Sequence, residues 1–253
     1  MKRTLRTLKW FIIVLIALPI AVSATWAYAK GWPSSWHAAD WTSTGDLPPA
    51  LSDRPAMIRI YAARSGRWKG VFAVHHWIIV KPEDGDYNRF EVVGWGSPVR
   101  HNNYPPDGRW YSNAPQLVYD LRGAEAKKLI PKIATAIDSY PWQDHGTYHV
   151  WPGPNSNTFV AHVLREVPEL KAEMHTAGIG KDFIGPGLSV RPVPSGTGWQ
   201  VSWSGYLGAA VALAEGLELH ILGATIGIDF DDLAIKLPGI GRVGAGDVVA
   251  LLK

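Results

Sequence analysis

Gly153-Pro154-Asn155-Ser156-Asn157-Thr158-Phe159-Val160 is a tight turn running into an apolar segment patterned as a helix as far as Val167. Pro and Gly stop whatever precedes, and Asn155 or Ser156 supplies the N-cap, so the spacing predicts a helix over 155–167. The turn thereby sets a small hydroxyl at a helix N-terminus. Free N–H groups and the partial positive charge found there stabilise an anion and a neighbouring oxyanion, as acyl-transfer chemistry requires. The same Asn and Ser also serve as a plain capping pair with no chemistry attached.

A serine nucleophile needs a base, and the base needs an orienting group. Upstream, 71–80 is a β-branched, apolar strand carrying His75-His76-Trp77-Ile78-Ile79-Val80. Neighbours on a strand point to opposite faces, so one of the two histidines is expected to face the helix. Strands at 57–63, 71–80 and 89–95, joined by turns at 66–70 and 82–86, predict an antiparallel β-meander. Glu91 on the third strand is the first candidate orienter and His101 the second; Glu91 reads equally as a solvent-facing strand residue. The Asn- and Pro-rich stretch 100–115 is expected as a surface loop. An amphipathic helix follows over 123–140, with Pro131 as a potential kink, and then a short strand over 147–151.

A strand of the form His-x-x-apolar-apolar-apolar, followed much later by Asn-Cys-x-Thr-Phe-Val at a helix start, resembles the circularly permuted papain-like folds, the lecithin-retinol-acyltransferase-like and permuted NlpC/P60 groups. His75 to Val80 and Asn155 to Val160 carry the two motifs, and about 95 residues are covered. The resemblance implies an α+β, papain-like core with His75 as base. It also puts Ser156 where those families have a nucleophilic cysteine; the less acidic hydroxyl then depends wholly on the histidine. Asn155, Asn157, His76, Trp77, His101 and Trp151 are the expected binding residues around Ser156, His75 and Glu91. Gly94-Trp95-Gly96, Gly153 to Phe159 and Lys236-Leu-Pro-Gly-Ile-Gly-Arg242 resemble more closely an uncharacterised bacterial exported family, domain of unknown function 3750, which brings no mechanism with it.

The chain opens with Lys2, Arg3, Arg6 and Lys9, then an apolar run from Trp10 to Val22 and small residues at Ala24, Ala27 and Ala29, the order of a secretory signal. Trp10 to Ala29 is also long enough to cross a bilayer, and Trp32, Trp36 and Trp41 suit its headgroup layer. The reading is a retained single-pass anchor in a bacterial inner membrane with the bulk of the chain on the periplasmic side, or a cleaved signal ending at Ala29 and a secreted periplasmic protein. The net charge of +3 belongs to this segment; beyond residue 30 stand 20 basic and 22 acidic residues. Nucleic acid is therefore no expected partner. With no cysteine, disulfides and thiolate metal sites are excluded, and the aromatic-rich core must carry stability.

The expected order is a signal or anchor at 1–30, a Pro- and Ser-rich tether at 31–55, a papain-like core at 56–190, and a Gly-rich, β-rich C-terminal extension at 191–253. Strands are expected at 217–222, 225–230 and 233–237. His145 and His149 lack the carboxylate support of a zinc site, and the Gly-x-Gly-x-x-Gly at 239–244 has no βαβ unit around it, so no metal and no cofactor is expected. Two functions fit: a membrane-anchored hydrolase or acyltransferase acting on a cell-envelope peptide, amide or lipid ester, or a non-catalytic module that keeps the fold and binds glycan, peptide or lipid through the 100–115 loop; a zinc-dependent enzyme trails both.

Overall fold

The computed structural model describes residues 2–231 and 233–244; the end of the expected C-terminal extension, 245–253, lies outside the described residues, as do the side chains of Lys2 and Arg3 in the cationic start. The fold is α+β with antiparallel sheets. Strands β1 (Met57–Arg64), β2 (Val74–Lys81), β3 (Asn88–Val92), β4 (Val99–His101) and β5 (Gln116–Arg122) form a sheet in the order β4-β3-β2-β1-β5. The expected meander is present, with its turn at 66–70 replaced by a 3-10 turn over Arg67–Val71 that delays β2 to Val74.

Ile58, Ile60, Ile78 and Val80 pack under Leu129 and Ile133 of α3 (Ala124–Asp138) and Phe159, Val160 and Val163 of α4 (Ser156–Glu166). The opposite face carries Tyr61, Trp77, Ile79 and Trp110 beneath the half-buried Trp41 and Tyr104. Cover on both sides explains why β2 reads as a continuous apolar run from Trp77 to Val80 rather than an alternation. Helix α3 continues through Pro131, which lies on its exposed side.

The expected strand at 147–151 is absent. His149 N–H donates to Pro154 O at 2.8 Å and closes a loop, so that backbone has no neighbouring strand to pair with. The 42–55 stretch has little regular structure, as its composition predicts, yet it is fastened down: Arg59 Nη1 lies 3.2 Å from Asp46 Oδ2, and Thr44 N–H donates to Asp107 O at 3.3 Å.

The last third forms a second sheet of seven strands, β6 (Leu188–Pro192), β7 (Gly198–Trp203), β8 (Leu207–Ala212), β9 (Gly216–Ile221), β10 (Ala224–Ile228), β11 (Ile235–Leu237) and β12 (Gly241–Val243), each paired with the next. The three expected strands correspond to β9, β10 and β11. The pleat is inverted relative to an ordinary soluble sheet: Gln200, Ser202, Glu218, His220 and Lys236 are buried, while Trp199, Trp203, Val211 and Leu217 are exposed. Glu218 is held between Lys181 Nζ at 2.9 Å and Lys236 Nζ at 3.0 Å. Burial raises its pKa, but the lysine charges outweigh that and hold it down at about 2.

The N-terminal helix runs as α1 (Lys2–Ile12), a π-helical turn (Ile13–Ala17) and α2 (Leu18–Lys30). Lys9–Lys30 is long and apolar enough to cross a membrane. Pro19, Ser23 and Ala27, one helical turn apart, face the body, where Ser23 Oγ donates to Val71 O at 2.7 Å and Gly239 O at 3.0 Å.

Removing one partner of a buried charge cluster strands the others in low dielectric. Glu218→Ala, which leaves Lys181 and Lys236 facing each other, is expected to lower the unfolding free energy by about 3–5 kcal/mol, measured by denaturant titration.

Candidate functional site

Asn155 and Thr158 cap the start of α4. Asn155 Oδ1 accepts from the N–H groups of Asn157 at 2.9 Å and Thr158 at 3.2 Å, and Thr158 Oγ1 accepts from Asn155 N–H at 3.1 Å, which completes a capping box. Asn155 Nδ2 donates to Val150 O and Ile179 O, each at 3.1 Å, and ties the cap to flanking loops. Because the cap is made by Asn155 and Thr158, the hydroxyl of Ser156 takes no part in it. Among the described residues, Ser156 Oγ and the Ser156 N–H have no hydrogen-bond partner.

Asn157 locks this turn to β2. Its Nδ2 donates to Val74 O at 3.0 Å and Ile179 O at 2.7 Å, while Oδ1 lies 2.7 Å from His76 Nδ1. The His175 N–H donates to His76 Nε2 at 3.2 Å, so the proton of a neutral His76 sits on Nδ1 and goes to Asn157. Burial pushes His76 down to about 3. His76 is thus an interior strut with no open face.

His75, on the other side of β2, is 4% exposed and lines a cleft. Its Nε2 lies 2.6 Å from Glu91 Oε2, across to β3. Arg89 Nη2 donates to the same oxygen at 3.0 Å, and Arg89 Nε lies 2.9 Å from Oε1, out of line for a hydrogen bond. Burial raises Glu91, but the Arg89 charge and the His75 contact outweigh it and hold the carboxyl below its ordinary range. The group bonded to His75 is therefore a carboxylate, and His75 Nε2 is the donor. Burial lowers His75 against the opposing pull of Glu91. The ring stacks on Trp110 with centroids 3.7 Å apart and planes within 1°. Arg89 lies 4.1 Å above Trp77, whose Nε1 donates to Pro106 O at 2.8 Å.

His75, Asn155, Ser156 and Asn157 line one cleft of about 450 Å³, which Trp95, Trp110, Tyr148 and Lys69 help to wall. The helix start sits at the first residues of β2, and of the two histidines only His76 turns to it, through Asn157, as strand alternation requires. His75 points to the opposite face of the sheet, against Trp77 and Trp110, and shares with Ser156 only the lining of the cleft. His101 stands apart: it stacks on Phe90 and lies 2.9 Å from Asn88 Oδ1. Trp77 is wholly buried beneath Arg89, and Trp151 donates Nε1–H to Leu222 O at 2.8 Å, walling a neighbouring cavity instead. The 100–115 loop spends Trp110 and Tyr104 on inward packing with Trp41. Among the described residues no group of three or more His, Asp or Glu is placed to hold a metal ion.

Sequence reasoning passed over Arg89, Trp110 and Tyr148. Arg89 carried a readable signal, since residues i and i+2 of one strand share a face and Arg89 therefore accompanies Glu91. Trp110 lies in an irregular loop with no such periodicity.

The interior imidazoles make stability sensitive to acid. His76 and His175, with folded-state pKa values of about 3 and about 4, are near 6.5 when exposed. Below 6.5 the unfolded chain binds protons that the fold refuses. Stability is then expected to fall as pH drops from about 6.5 towards 3, by up to ~1.4 kcal/mol per pH unit for each ring. Thermal unfolding across that range, with His76→Gln flattening the slope, checks this.

The model of a family described as a protein of unknown function (DUF3750) matches residues 55–183, just over half of the chain and the whole of the five-stranded sheet with α3 and α4. No curated protein and no solved structure matches the chain. The cleft between His75 and Ser156 falls inside the matched region, and the chain belongs to this DUF3750 family.

Proposed function

We propose that the protein is a membrane-anchored serine hydrolase or acyltransferase of papain-like core, with Ser156 as nucleophile, His75 as base and Glu91 as its orienting carboxylate. The observation that supports it is the combination in one cleft of an unpartnered helix-start hydroxyl and a histidine whose far nitrogen is tied at 2.6 Å to a buried carboxylate. A carboxylate on Nε2–H leaves Nδ1 as the basic nitrogen, and among the described residues Nδ1 has no partner.

In the proposed reaction Ser156 Oγ attacks an acyl carbonyl while its proton passes to His75 Nδ1. The Ser156 N–H at the start of α4 donates to the oxyanion. Tyr148, whose phenol is protonated at neutral pH and which burial pushes up to about 12, lines the same wall and would serve as a second donor. Collapse of the tetrahedral intermediate breaks the bond to the leaving alcohol or amine, which takes the proton back from His75. Water or an acceptor alcohol, deprotonated by the same nitrogen, then attacks the acyl group, and His75 returns that proton to Ser156 Oγ as the acyl–oxygen bond breaks. Glu91 stays ionised and stabilises the imidazolium.

Among cell-envelope peptides, amides and lipid esters, the surroundings favour the last. An apolar cavity of about 610 Å³ between Ile16 and Ile20 of the N-terminal helix and Phe72, Ile221 and Leu222 of the body shares Lys69, Ala73, Val150 and Ile179 with the cleft. A chain lying there would bring its carbonyl towards Ser156. The anchor belongs in a bacterial inner membrane with the body on the periplasmic side, which the cationic start supports through the positive-inside bias.

A serine-reactive fluorophosphonate is expected to label the protein, with labelling lost in Ser156→Ala and slowed by about 10²–10⁴ in His75→Ala. Labelling that persists in Ser156→Ala rejects the nucleophile. His75 must be neutral to act, so the rate is expected to fall on the acid side with a midpoint below 6.5. Glu91→Gln removes an interaction that raises His75, and so shifts this limb to lower pH while slowing the reaction. In Ser156→Cys, the sole thiol of an otherwise cysteine-free chain, alkylation by iodoacetamide is expected to titrate below the ordinary value of about 8.5.

A further inference from the structure

The outward face of the seven-stranded sheet is apolar in register. Pro192, Trp199, Val211, Leu217, Ile228 and Ile235 form one continuous cross-strand row. Leu188, Trp203, Leu207, Ile221 and Ala224 form another, with Val190, Val201, Ala209, Leu219 and Ile226 between them. No charged residue stands on this face within β6 to β11. Trp199 is 64% exposed and Val211 59%. Soluble proteins expose apolar residues singly, and a contiguous face of this breadth marks an interaction surface. The inner face holds the Glu218 cluster, so the alternation is apolar-out and polar-in, the pattern of a sheet whose outer solvent is hydrocarbon.

The N-terminal helix indicates what covers this face. The row through Ile221 and Ala224 ends at the apolar cavity whose far wall is Ile16 and Ile20. Ile16 precedes Lys30 by fourteen residues, about 21 Å of helix, and one leaflet of hydrocarbon is ~15 Å thick. If Lys9–Lys30 crosses a bilayer, the body that touches Ile16, Ile20 and Ser23 already stands at hydrocarbon depth, and its apolar face stands there with it. Arg64, at the height of Ser23, is covered by Ser23 Oγ, Gly70 O and Gly239 O. A sheet face tolerates lipid because the ladder satisfies its backbone internally.

We propose that the outer face of the seven-stranded sheet is seated in membrane hydrocarbon on the side where the N-terminal helix leaves the bilayer towards Lys30, so that the protein is held by a helix and an immersed sheet together. The proposal is independent of the chemistry assigned to Ser156.

The cysteine-free chain suits site-directed spin labelling. Full-length protein carrying Val211→Cys, Leu217→Cys or, as an aqueous reference on α3, Lys128→Cys is labelled with a nitroxide and reconstituted into phosphatidylcholine–phosphatidylglycerol vesicles. Power saturation then compares collisions with oxygen, which concentrates in hydrocarbon, and with a neutral nickel chelate, which stays in water. The expected result is oxygen-dominated relaxation at 211 and 217 and nickel-dominated relaxation at 128. Nickel dominance at all three sites overturns the proposal. So does protection from both reagents at 211 and 217 with spin–spin broadening that vanishes on dilution with unlabelled chain, because a second copy then covers the face. Circular dichroism matching the unlabelled protein confirms that each variant is folded.

Discussion

One side-chain amide ties the two halves of the site together. Asn157 donates from Nδ2 to Val74 O and Ile179 O and accepts at Oδ1 from His76, which joins the first turn of α4 to the first residues of β2 and to the loop behind it. Nearly every polar atom of this connection is buried, so each must be paired, and pairing is satisfied only when strand, helix and loop lie in this arrangement. The neutral tautomer of His76 follows from it, and so does the location of Ser156. A helix start held by two asparagines can leave its serine free, because neither capping nor docking uses the hydroxyl.

The second histidine shows how burial and pairing oppose each other. Unaided burial would make Glu91 a neutral acid and a poor anchor for an imidazole. Arg89, itself stacked between Trp77 and Tyr104, restores the carboxylate, and the carboxylate fixes His75 edge-on while Trp110 fixes it face-on. The ring keeps its Nδ1 without a partner among the described residues. Side chains from β2, β3 and the 100–115 loop hold it, so the loop acts as a clamp on the imidazole.

The two sheets solve opposite problems. The five-stranded sheet is covered on both faces and buries ordinary hydrocarbon. The seven-stranded sheet turns its charged residues inward, where Lys181, Glu218 and Lys236 satisfy one another, and its hydrocarbon outward beside the N-terminal helix. An ion cluster in low dielectric is weak as a source of stability, but it leaves little choice of register, because a one-residue slip would turn Trp199 and Trp203 inward or Glu218 and Lys236 outward.

Local chemistry in the sequence determined the N-terminal apolar helix, the meander and the helix start at Asn155, because each rests on periodicity or on a turn signal within a few residues, and it named His75, Glu91 and Ser156 as candidates without pairing them. It also pointed to strands in the tail, while the three strands before them went unread: their outward apolar and inward polar positions reverse the usual assignment of faces. What only the tertiary structure decided are the relations between distant segments. A strand at 147–151 failed for want of a neighbour, His101 was carried away from His75 by the register of β4, and Arg89, Trp110 and Tyr148 came to the cleft from positions that no local pattern marks. Hydrogen-bond satisfaction and packing are properties of pairs brought together by the fold, and a linear sequence states the members of those pairs without stating the pairs.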